Sequence, residues 1–218
     1  MEQITELELT SLGRIAGVAE KEFTPPFPGA KPMLQQVWET ENVARAVEYL
    51  RETYKPRGGK VSILGHVDSW ICMAFADALQ PECEVFFKVP NHDPDNTFTD
   101  IPVYPVKYGE PDDSLKFTYS IREDGDIIYM DYGIDNDLDW LYLVTEAVSD
   151  LTIPALPEDR ILCLHSLSHY PLHWVAVNNY AKTARSIFCS DHDDPFYHCA
   201  VPGNSGYKLG DTIPRIAG

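Results

Sequence analysis

Two short stretches of this chain crowd imidazole together with carboxylate. The first is Pro90-Asn91-His92-Asp93-Pro94-Asp95-Asn96, and the second is Ser190-Asp191-His192-Asp193-Asp194-Pro195. Oxygen ligands with an occasional imidazole suit a hard divalent ion such as Mn²⁺ or Mg²⁺. His92, Asp93 and Asp95 in one loop, and Asp191, His192 and Asp193 in the other, are therefore candidate metal ligands. Closed tetrahedral zinc sites need a cysteine and histidine spacing that neither loop has. The plain alternative is an Asp-rich turn, in which short side chains bond their own backbone. A second set of reactive types sits further upstream in each half. Gly65-His66-Val67-Asp68-Ser69-Trp70 and Ser168-His169-Tyr170-Pro171-Leu172-His173-Trp174 each follow an apolar run and open a helical stretch. A strand that turns tightly into a helix exposes backbone N–H groups and the positive end of a dipole, which favours anions. The alternative is ordinary capping with a surface histidine. His198 reads as a half-buried strand residue.

The elements that must position these groups repeat. Residues 61–113 and 161–213 look like two copies of one unit, and such repeats constrain the fold more than any single motif. At an offset of about 103 residues His66 falls on His169 and Trp70 on His173; the offset falls to about 101 where Phe87 meets Phe188 and Pro94 meets Pro195. Two copies imply a pseudo-two-fold pair with equivalent sites facing one another or one shared ligand. The expected fold is α/β: two similar mixed-sheet modules, 1–115 and 116–218.

The first module begins with mixed sequence to residue 39, including the proline-rich stretch from Thr24 to Pro32, which reads as an extended linker or arm. Val43, Ala46, Val47 and Leu50 mark a helix over 40–54 with Thr40 as N-cap. Strand 61–64, a helix over 69–79 capped by Asp68, and strand 84–88 make a βαβ unit, followed by a strand at 102–107. In the second module a hairpin spans 117–132 around Glu123-Asp124-Gly125. Helix 137–150, strand 160–165, a helix over 171–182 with Pro171 at its first position, strand 186–190, a strand near 198–202 and a short strand at 210–213 complete it.

Composition bounds the function. The 218 residues include 17 Lys plus Arg against 34 Asp plus Glu, for a net charge of −17. That excludes a long nucleic acid as partner, because phosphate backbones need a basic footprint. It leaves room for a small anion held by backbone amides. An apolar fraction of 44% supports a packed core. Five cysteines without a C-x-x-C pattern read as small buried hydrophobes in a reducing cytoplasm. Residues 1–16 are acidic and lack the apolar stretch of a leader, and no apolar run approaches the ~20 residues that a membrane span needs.

The second half resembles the small CRISPR-associated ring nucleases of type III systems, which degrade cyclic oligoadenylate second messengers. That family has a hairpin and helix, a strand ending in Ser-Gly-Arg-Gly-Pro-apolar-Trp-Leu, a helix, a strand ending in Asp-Pro-Arg, and Ser-His near Gly-Asp-apolar-Ile. Here Pro171 matches the motif proline, Asp191 follows strand 186–190, and Leu209-Gly210-Asp211-Thr212-Ile213 closes the chain. The first half matches more loosely, through Gly65 to Trp70 and strand 84–88. The family's motif arginine is replaced by His66 in one copy and His169 in the other. Its Asp-Pro-Arg has become Asp191-His192-Asp193, with Val89-Pro90-Asn91 in the first copy.

The resemblance implies a metal-assisted phosphodiesterase acting on a small cyclic oligonucleotide, or a non-catalytic module that senses or sequesters a small anionic nucleotide. In the first case His169 or His66 moves the proton, and Asp191 or Asp68 orients the imidazole or the metal. Gly65, Ser69, Ser168 and His173 line the pockets, and Trp70 and Tyr170 stack on adenine, although aromatics at such positions serve the core equally well. Trp38, Trp140 and Trp174 are assigned to the core. A third reading is an acidic interaction protein for a basic partner. Homo-oligomerisation is compatible with the sequence, but no residue pattern requires it.

Overall fold

The structure is a computed structural model; it describes residues 4–24, 29, 31–65, 67–90, 98–102, 107–108, 117–134, 152–166, 177, 179–190 and 194–215. The chain is a mixed α/β protein. In order its elements are β1 (Ile4–Glu8), α1 (Leu9–Ala16), β2 (Ala19–Phe23), β3 (Met33–Val37), α2 (Thr40–Thr53), a 3-10 turn (Lys55–Arg57), β4 (Gly59–Leu64), α3 (Ser69–Leu79), β5 (Cys83–Pro90) and β6 (Phe98–Pro102). There follow β7 (Lys107–Tyr108), β8 (Phe117–Asp124), β9 (Ile127–Ile134), β10 (Thr152–Ile153), β11 (Ile161–Ser166), β12 (Ser186–Ser190), β13 (Phe196–Val201) and β14 (Thr212–Pro214).

Two sheets carry the architecture. The first has the order β1-β4-β5-β6, with β1, β4 and β5 parallel and β6 antiparallel to β5. The second has the order β14-β13-β12-β11-β9-β8. Its central strands β9, β11 and β12 are parallel, β13 runs antiparallel to β12, and β8 folds back on β9 as the expected hairpin. The run β9-β11-β12-β13 thus has the same directions as β1-β4-β5-β6. β11 and β12 are buried at every residue, as parallel strands covered on both faces must be. Two small pairs, β2 with β3 and β7 with β10, complete the strands among the described residues.

α3 explains how the sheets meet. Ten of its residues, Ser69 to Ala76 with Ala78 and Leu79, are buried, so it is apolar all round rather than amphipathic. Such a helix must be covered on every side. It contacts α2 and β5 on one side and β12 and β13 of the second sheet on the other. One apolar cluster consequently runs through α1, α2, α3 and both sheets, from Leu7 and Leu50 to Leu164 and Val201. A smaller cluster of Tyr129, Ile161, Cys163, Phe188, Tyr197, Cys199 and Ile213 lies on the other face of the second sheet.

Several expectations need correction. β1 and α1 were not foreseen: Leu7 pairs with Ile63, and β1 extends the first sheet beside β4. α1 ends at Gly17, whose φ of 74° gives the left-handed cap that lets Val18 N–H reach Gly13 O. α2 is capped by Glu39 rather than Thr40, through a reciprocal box with Asn42. Its stripe Val43, Ala46, Val47 and Leu50 is buried as read. The proline-rich stretch read as an extended linker or arm joins β2 to β3, which pair antiparallel; its residues 25–28 and 30 lie outside the described residues. Of the strand expected at 102–107, Pro102 closes β6 and Lys107 opens β7, and 103–106 lie outside the described residues. Asp68 does occupy the N-cap position of α3, but its side chain makes no capping hydrogen bond.

The match of Phe87 to Phe188 also fails at the level of side chains. Phe87 pairs with Ile63 and joins the large cluster around α3, whereas Phe188 pairs with Cys163 and joins the small cluster on the opposite face. One residue of slip reverses every side chain of a strand, so equal offsets can align strands while inverting faces. Helix 137–150 lies outside the described residues. Of the helix expected at 171–182, Val177, Asn179 and Tyr180 are helical, 181–182 form a turn, and 171–176 and Asn178 lie outside the described residues.

Candidate functional site

The tight turn after β4 is built around Gly65. Its φ is 132°, and a Cβ placed there would lie 3.0 Å from the Cβ of Leu9. Only glycine fits both demands. The turn delivers Asp68 and Ser69 to the first turn of α3, with Ser69 itself buried. Trp70 follows. It is only 6% exposed, and its indole stacks on the imidazole of His198, with ring centroids 5.3 Å apart and planes 14° apart. Trp70 thus has a protein ring as its stacking partner in this structure.

His198 belongs to β13 and lies opposite Cys189, near the C-terminal end of β12. Its Nε2 is 2.8 Å from Oδ2 of Asp194. A carboxylate only accepts, so Nε2 donates to it, and a ring that carries a single proton has Nδ1 as its acceptor. Asp194 is itself fixed. Its Oδ1 accepts the Phe196 N–H at 2.9 Å, and its carbonyl oxygen accepts Ser190 Oγ–H at 3.3 Å. The carboxylate is thus part of an Asx turn, as the sequence alternative supposed for this loop, and orients a histidine as well.

A second imidazole–carboxylate pair sits on the other face of the same sheet edge. Asp131 on β9, His165 on β11 and Ser190 on β12 share one register row. His165 Nδ1 is 2.8 Å from Asp131 Oδ1; the imidazole is 6% exposed and the carboxylate 56%. Tyr197 lies in the adjoining small cluster. Burial, and then the neighbouring charge of Asp131, pushes its phenol well above the usual range. Both pairs therefore stand at the C-terminal edge of β9, β11 and β12, where ligands of parallel sheets collect.

All five cysteines are buried and none forms a disulfide. Burial, with a neighbouring thiol or carboxylate as a lesser cause, raises Cys163 and Cys199 to about 12, which keeps them as inert thiols.

Of the residues singled out from sequence, Gly65, Asp68, Ser69 and Trp70 come together at the β4–α3 turn. His66, His92, Asp93, Asp95, Ser168, His169, Tyr170, His173, Asp191, His192 and Asp193 lie outside the described residues. Among the described residues no group of three His, Cys, Asp or Glu side chains gathers as a metal site. The pairs Asp194–His198 and Asp131–His165 were not proposed from sequence. The partners of the second are 34 residues apart and meet only through the parallel register. A polar residue at the end of an otherwise apolar buried strand was the one available signal. No helix among the described residues is long and apolar enough to cross a membrane. No family model matches the sequence, and no curated protein matches it.

Proposed function

We propose that this chain binds a small cyclic oligonucleotide of the cyclic oligoadenylate type and opens its phosphodiester ring, as a divergent tandem relative of the CRISPR ring nucleases. One observation carries the reading. Trp70, at the start of the helix that follows β4, touches His198, beside the end of β12. The ligand-binding edges of two β-α-β units thereby adjoin, and an oriented His–Asp pair stands at the junction. The shared strand directions of the two sheets support the tandem origin and a pseudo-two-fold relation between modules.

In this mechanism the neutral imidazole of His198 takes the proton of a ribose 2′-hydroxyl through Nδ1 while Asp194 stabilises the Nε2–H side. The 2′-oxygen attacks the adjacent phosphorus, forming a 2′,3′-cyclic phosphate. The bond to the 5′-oxygen breaks, and the released oxygen takes up a proton from the imidazolium. His66, His169, Asp68 and Asp191 remain the residues that the resemblance assigns to the same edge. The acidic loops are the proposed holders of Mn²⁺ or Mg²⁺, which would supply positive charge at the phosphate.

The test is to incubate the protein with cyclic tetra-adenylate, with and without Mn²⁺, and to chromatograph the products. Linear product that is lost in His198→Ala supports the reading, and intact ring in every lane refutes cleavage. A second reading, recognition without turnover, is favoured by the replacement of both motif arginines by His66 and His169, which removes a bidentate phosphate clamp. Tight binding with no product would establish it instead.

A further inference from the structure

We infer that Trp70 is a positioning residue for His198, so that a side chain of the first sheet's crossover helix sets the reactive geometry at the edge of the second sheet. The inference rests on the reading of His198 as the proton-transfer group. An imidazole on a strand has two soft torsions. The Asp194 contact fixes which nitrogen points at the carboxylate, because Nε2 and Oδ2 are 2.8 Å apart. It leaves the ring plane to swing about that contact. The indole removes this second freedom, since a stack 14° from parallel at 5.3 Å sets the plane. Two constraints from two directions leave one orientation and one tautomer.

The platform is stiff enough for the task. Trp70 is 6% exposed and every residue of α3 but Asp77 is buried, so the indole cannot follow a wandering ring. Asp194 is equally held, by the Phe196 N–H and by the Ser190 hydroxyl on its carbonyl oxygen. The side chain of His198 keeps 23% exposure, so it is open in part to solvent. Trp70 is thus a structural partner of the reactive ring rather than a surface for a base, and it makes the site depend on both sheets. Moving α3 relative to β13 would release the imidazole plane without touching any residue at the phosphate.

The test uses histidine-labelled full-length protein and nuclear magnetic resonance at a pH where imidazoles are neutral. In the unmodified protein the His198 ring protons should resonate upfield of exposed imidazoles, because they lie over the indole, and the nitrogen pattern should be that of the Nε2–H tautomer. Trp70→Leu should abolish the upfield shift, and Trp70→Phe should keep part of it. In the cleavage assay Trp70→Leu should lower kcat by about 10- to 100-fold with KM little changed, as misplacement of a catalytic group does, and Trp70→Phe should recover most of that loss. An Nδ1–H tautomer in the unmodified protein, or His198 resonances unaltered in Trp70→Leu, would overturn the inference whether or not the variants cleave. Absence of cleavage and binding by the unmodified protein would overturn the functional reading on which it rests, and the resonance data would then decide the positioning claim alone.

Discussion

Gly65→Ala separates a structural glycine from a ligand-contacting one. The resemblance to the ring nucleases makes this residue part of a pocket, where a missing side chain lets a phosphate approach the backbone. The structure gives a different reason. Its φ of 132° is territory that side-chain-bearing residues rarely enter, and holding alanine there costs about 1–3 kcal/mol. The new methyl would also meet Leu9 at 3.0 Å from Cβ and 3.3 Å from Cγ and Cδ1. Leu9 is 2% exposed and opens α1, so it has little room to yield, and overpacking of this kind costs a further ~1–3 kcal/mol. The sum, about 2–6 kcal/mol, is a large share of the ~5–15 kcal/mol that a domain has in hand. At roughly 2–4 °C per kcal/mol for a chain of this size, Tm should fall by about 5–20 °C. Denaturation followed by circular dichroism reads this directly. In a Leu9→Ala background the steric share should shrink while the backbone share stays, so the same glycine substitution should cost measurably less there. A change within ~0.5 kcal/mol in the original background would refute the turn geometry, and would return Gly65 to the role of ligand contact if binding were lost at the same time.

Other perturbations follow from the same geometry. Asp131→Ala leaves the buried Nδ1 of His165 without its carboxylate and should cost about 1–3 kcal/mol in urea unfolding, well above the effect of an ordinary surface charge; a change indistinguishable from zero would contradict the pairing. Cys163 and Cys199 have folded pKa values raised to about 12 from 9.0. Their thiols ionise first in the unfolded chain, so stability should be intact below pH 9 and decline as pH climbs from there towards 12, by up to ~1.4 kcal/mol per pH unit for each thiol. Equilibrium unfolding across that range should show the decline, and the Cys163→Ala/Cys199→Ala double variant should show a shallower one; equal slopes would contradict the burial of these thiols.

The sequence was most readable where one physical signal dominated. Ser69–Leu79 and Ser186–Ser190 match the expected α3 and β12 to the residue, because apolar runs of those lengths bounded by Asp68, Pro81 and Arg185 admit little else. The α2 stripe and the hairpin around Glu123-Asp124-Gly125 were legible for the same reason. β1 was not, since its five residues gain their place only by parallel pairing with β4 more than fifty positions away. Phe87 and Phe188 show a subtler limit. An offset of about 101 sets the two residues side by side in sequence, yet their rings lie in different apolar clusters. The functional pairs failed to stand out because each depends on tertiary register. His198 looked like a half-buried strand histidine until Asp194 and Trp70 were found on either side of it, and Asp194 looked like one more carboxylate in an acidic turn. Of the two imidazole–acid loops, 90–96 and 190–195, residues 91–96 and 191–193 lie outside the described residues.

The adjoining sheet edges are the claim on which the rest depends, and titration of ¹⁵N-labelled protein with cyclic tetra-adenylate tests it most directly. The backbone amides of Gly65 to Trp70 and of Asp194 to His198 should shift together along one saturating curve, because a single ligand would span both edges. Shifts confined to one of these segments, or absent from both while the ligand is in excess, would contradict the shared crevice.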